Sequence, residues 1–139
     1  MRALIVVAAI AVMSVSVADA GARADRASAV PHKLVALWTR KITPADLHGA
    51  TWPPAGIYKL DFHANGSVDF YEPDLKQVDY TEKFSATAAG RLVVGPTPMC
   101  ALRAVYAWKV AGNKLTLSAK SDPSCSLRVD IYGGTWTRR

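Results

Sequence analysis

The sequence predicts an all-β protein: a single eight-stranded antiparallel up-and-down β-barrel held by one disulfide. Three observations lead there. From Lys33 onward, short β-type runs are punctuated by Gly, Pro, Asn and Asp, and no stretch keeps a 3.6-residue period over three turns. The glycine-bearing turns have lengths whose parity places apolar residues on one face of each hairpin. The chain carries two cysteines, Cys100 and Cys125, behind an export-type leader, so a disulfide between them is expected.

Residues 1–20 have the form of a signal peptide. Met1-Arg2 supplies a positive charge, Ala3 to Met13 is apolar, and Ala18-Asp19-Ala20 has the small-x-small pattern of a cleavage site. The stretch between Arg2 and Asp19 is shorter than the roughly 20 residues a spanning helix needs. Cleavage before Gly21, no membrane span afterwards and a secreted mature protein are therefore expected. Residues 21–32, rich in Ala, Arg and Ser, are expected to form a flexible leader. Residues 33–139 have one domain's length and are expected to form the barrel, as a monomer.

The expected strands are 33–41, 56–63, 67–72, 79–87, 91–94, 101–110, 114–119 and 126–138, the last kinked at Gly133-Gly134. A helical turn is expected at Pro44 to His48, where Thr43 can cap and Pro44 suits the first helical position. In the second strand Tyr58, Leu60 and Phe62 share the face opposite Lys59 and Asp61. For Leu60 and Phe62 to oppose Phe70 and Val68, the loop must be odd, and Ala64-Asn65-Gly66 provides a three-residue turn ending in left-handed glycine. Ala88-Ala89-Gly90 repeats the construction and sets Phe84 against Val94. Gly112-Asn113, a two-residue turn, sets Trp108 against Leu117. An even number of such strands lets the first and last pair and removes both sheet edges. In that order Cys100 and Cys125 fall at one end of the barrel, and closure brings Trp38-Thr39-Arg40 beside Trp136-Thr137-Arg138.

The net charge of +6 comes from lysines and arginines scattered singly or in pairs. Without clustering or a motif, that pattern argues against nucleic-acid binding. No CxxC is present and His32, His48 and His63 lack ligand spacing, so neither a metal site nor a cofactor is expected. Asp61 and His63 are expected to share an outward face as a solvated pair, and Asp69 and Asp130 also point outward by parity. Arg128 is open between a surface cation and, with a register shift at Cys125, an inward anion anchor.

Ala36-Leu37-Trp38 near the domain's start, with Arg138 near its end, resembles the Gly-x-Trp motif and covering arginine of lipocalin-like (calycin superfamily) proteins. Ala36 stands where that motif has glycine. Tyr106-Ala107-Trp108, Gly112, Lys114 to Leu117, Cys125, Arg128 and Trp136 extend the resemblance to small secreted members. It implies that Trp38 plugs one barrel end under Arg138, that Trp136 helps to close the barrel, and that the loop containing Trp52 lies across its mouth.

The expected function is a secreted binding protein that holds a small hydrophobic or aromatic molecule in the barrel. Tyr58, Phe62, Phe70, Phe84, Tyr106 and Trp108 are the expected cavity residues, with Trp52 as a lid. The alternative is a protein-interaction or inhibitor module with a filled barrel, marked by an exposed apolar patch near Trp52 to Pro54 or Pro96 to Met99. A barrel enzyme of the cyclase type comes third, since it needs an inward ionisable residue with a perturbed pKa. No catalytic residue is assigned.

Overall fold

The computed structural model describes residues 29–123 and 125–139. The expected signal peptide and all but the end of the expected leader lie outside the described residues. The elements are β1 (Leu37–Ile42), β2 (Gly56–Phe62), β3 (Ser67–Tyr71), β4 (Tyr80–Ala86), β5 (Arg91–Val94), β6 (Ala104–Ala111), β7 (Lys114–Ser121), α1 (Ser126–Tyr132) and β8 (Gly134–Arg138). Each strand pairs with its sequence neighbours, and β1 pairs antiparallel with β8 to close an eight-stranded barrel.

The turn parities set the register as expected. Leu60 pairs with Phe70, Phe62 with Val68, Phe84 with Val94, and Trp108 with Leu117. Gly66 and Gly90 adopt φ of 80° and 93°, the left-handed conformation their three-residue turns demand. Alternation then sends Trp38, Tyr58, Leu60, Phe62, Phe70, Tyr106, Leu115 and Trp136 inward, all essentially without solvent exposure.

Because the strands run up and down, the connections sort by length. The turns after β2, β4 and β6 are tight and share one end with the segment before β1. There Trp38 donates its indole N–H to the Leu34 carbonyl at 2.9 Å, and the Arg138 guanidinium lies 4.8 Å from the Trp38 ring centre. Arg138 also donates to the Lys33 carbonyl at 2.7 Å, so this plug is both stacked and hydrogen-bonded. The longer connections after β1, β3, β5 and β7 lie at the opposite end, which also holds the Cys100–Cys125 disulfide.

Three expectations about elements need correction. The eighth strand does not begin at Ser126, because Ser126–Tyr132 is helical. Leu127, Val129 and Ile131 alternate as a strand would, but Arg128, Ile131 and Tyr132 are the buried set, at helical spacing. Arg40 of β1 caps the helix end by donating to the carbonyls of Asp130, Ile131 and Gly133, supplying the cation that the helix's last turn lacks. The first strand begins at Leu37 rather than Lys33. Leu34 and Val35 bond back to Pro31 and His32 in a turn that drops Leu34 into the barrel end. The sixth strand begins at Ala104, leaving Cys100 in the loop before it. At Pro44 to His48 the chain makes consecutive turns, and the Asp46 carboxylate accepts from the Thr43 backbone N–H at 2.7 Å.

Candidate functional site

The loop end of the barrel is built by α1, the β3–β4 and β5–β6 connections and the segment around Trp52. A cavity of about 30 Å³ opens there among Trp52, Phe70, Tyr80, Met99, Leu127 and Tyr132. That volume holds about two waters, since one needs roughly 10–15 Å³. It is far below the several hundred Å³ typical of an enclosed ligand site. At its lip Trp52 and Met99 are 53% and 54% exposed.

Of the expected ligand residues, the structure brings Phe70 and Trp52 to this cavity. The others pack the barrel. Phe62 meets Phe84 edge to face at 5.0 Å, Tyr58 lies 5.7 Å from Phe70, and Tyr106 lies 6.0 Å from Tyr132. Trp108 is buried toward the plugged end and donates its indole N–H to the Thr87 carbonyl. Trp136, like Trp38, bonds a carbonyl four residues back, that of Tyr132.

Beneath the cavity lies a polar cluster that the sequence reasoning missed. Arg128, carried inward by α1, donates from Nε and one terminal nitrogen to the two Asp122 oxygens at 2.7 and 2.8 Å. It also donates to the carbonyls of Gly95 and Leu102 at 2.9 and 2.7 Å, tying the two ends of the β5–β6 connection to the segment between β7 and α1. Tyr106 adds its hydroxyl to Asp122 at 3.1 Å. Of the two options open for Arg128, the structure takes the inward one, with the helix rather than a register shift turning it in.

Glu82 completes the cluster from β4. Its side chain is fully buried, and Tyr132 donates its hydroxyl to Oε1. Oε2 lies 3.8 Å from Arg128 and has no hydrogen-bond partner among the described residues. Arg128 is already matched by Asp122, so an ionised Glu82 would be a second negative charge beside a single cation. Burial raises the Glu82 pKa to about 7, with Asp122 adding to the rise against the lowering by Tyr132 and Arg128. Burial likewise holds the Tyr80, Tyr106 and Tyr132 hydroxyls well above their usual range. Glu82 is thus a proton-holding group inside the barrel. It reaches the cavity only through Tyr132 and Arg128, which line the cavity where Glu82 does not. The signal for it was present in the sequence: Phe84 faces inward, so Glu82 two residues earlier on the same strand must do so as well.

The expected Asp61–His63 pair is replaced by another. His63 lies just past β2 and its Nε2 is 2.9 Å from Asp69 Oδ2, while Thr81 donates to the other Asp69 oxygen. Hydrogen bonds from Thr81 and His63 lower the Asp69 pKa against the desolvation that opposes them. This is a surface arrangement between neighbouring strands. No group of three or more His, Cys, Asp or Glu among the described residues is placed to hold a metal ion.

The eight-stranded antiparallel barrel is consistent with a calycin-like fold. Compared with known proteins, the chain matches no family model, no curated protein and no solved structure.

Proposed function

We propose that this is an exported binding protein that captures a small apolar or aromatic molecule at the loop end of its barrel, without chemistry. The observation that carries this is the recess behind the exposed Trp52 and Met99, aromatic on its walls and polar below. The packed interior argues for a site at the mouth: the recess takes one end of the molecule and the lip covers its body. Export is supported by the leader pattern and by the disulfide, which belongs in oxidising compartments.

A second reading, a secreted protein-interaction or inhibitor module, is favoured by the exposed Trp52, Met99 and Leu102 on these same loops. Native mass spectrometry of the protein isolated from its own secretion medium separates the two. A retained small molecule, lost in a Trp52→Ala variant, supports the carrier. A stoichiometric protein partner supports the interaction module and overturns the carrier.

A further inference from the structure

The mouth contains a carboxylate, Glu72, that has no partner among the described residues. Glu72 follows β3, is half-buried, and lines the cavity with Trp52, Phe70 and Tyr80. Its side chain makes no hydrogen bond or ion pair among the described residues, unlike Asp46, Asp69 and Asp122, each of which is held by a donor. Desolvation and the nearby Asp79 raise its pKa, which marks a site costly to leave charged and unpaired. Among the described residues the one cation on the cavity wall, Arg128, is committed to Asp122 and two carbonyls. Aromatic rings beside a free carboxylate form the combination that binds organic cations, through ring faces and charge pairing together.

We propose that the mouth takes an organic ammonium group, paired with Glu72 and enclosed by Trp52, Phe70 and Tyr80. This rests on the carrier reading of the same site and names the chemical class of its ligand. A cavity of about 30 Å³ suits a compact head group, with the rest of the molecule lying along Trp52 and Met99. The preference runs against the chain's net charge of +6, so it must arise locally at Glu72.

The test is a matched series of probes: 2-phenylethylammonium, the neutral 2-phenylethanol and the anionic 3-phenylpropanoate. They are titrated into the folded full-length protein by calorimetry and by amide chemical-shift mapping. The cation is expected to bind about tenfold more tightly than the alcohol, with shifts centred on residues 52, 70 to 72 and 80. Glu72→Gln, checked for unchanged circular dichroism, should weaken the cation far more than the alcohol and reduce the preference to less than about twofold. Equal binding of all three probes, or tighter binding of the anion, overturns the cation assignment while the carrier reading stands. If no probe binds or perturbs the mouth, both fall.

Discussion

Glu82→Gln is the most informative single change in the barrel, because it removes one titration without changing shape. In the folded protein Glu82 holds its proton up to about pH 7, whereas a free glutamate loses it near 4.5. The native state therefore binds more protons than the unfolded state between those values, and unfolding free energy must fall as pH rises through that window. The stabilising difference is fully present below about pH 4.5 and is lost once pH passes about 7. A gap of about 2.5 pH units at about 1.36 kcal/mol each gives at most about 3.4 kcal/mol. With a urea dependence of about 1–3 kcal/mol/M, the midpoint should drop by roughly 1–2 M between pH 5 and pH 7.5. Urea titrations followed by circular dichroism at constant ionic strength measure this directly. In Glu82→Gln most of the slope should be lost, leaving the smaller part due to Glu72, and at pH 8 the variant should match or exceed the wild type. A wild-type stability that is flat or rises over that range, or a variant that keeps the wild-type slope, would refute an unmatched buried carboxyl.

Replacing Arg128 by Met strands Asp122 and Glu82 in the interior, and should cost about 3–5 kcal/mol in urea unfolding at pH 7. A loss below 1 kcal/mol would mean that the cluster is solvated. The double variant Cys100→Ser, Cys125→Ser should lose about 3–4 kcal/mol by the unfolded-chain entropy argument for a 25-residue separation. Its hydrogen-exchange protection should fall first around residues 95–103, and a uniform fall would contradict a local staple. Arg138→Ala removes the cover from Trp38 and should lower stability by about 0.5–2 kcal/mol while changing tryptophan emission. Unchanged emission would mean that the stacking is not maintained in solution.

The barrel was readable because hairpin parity is a strict constraint. Phe62 against Val68 and Trp108 against Leu117 follow from turn length and inward facing, and an even strand count permits the antiparallel closure of β1 on β8. The helix at Ser126–Tyr132 was hidden because a short apolar run satisfies both periods, and its cap, Arg40, lies on a distant strand. The polar cluster was hidden for a related reason. On a strand the facing of Arg128 is open between surface and interior, a helix turns it inward, and without that cation an inward Glu82 has no visible partner. Phe70 and Trp52 were recognised as individual residues, but the cavity between them depends on where Met99 and Leu127 come to rest, which strand alternation does not determine.

The seam between β1 and β8 also bears on when the molecule can fold. Thr39 and Thr137, 98 residues apart, share a hydrogen bond across it, and every contact there waits for the last strand. Contacts of such sequence separation form slowly, because so much chain must be ordered before they contribute. A chain that emerges from the ribosome without Gly134–Arg138 has two open sheet edges, β1 and β7, and no completed core. Such a polypeptide stays threadable until Gly134–Arg138 is made, the property that the export proposed above would require.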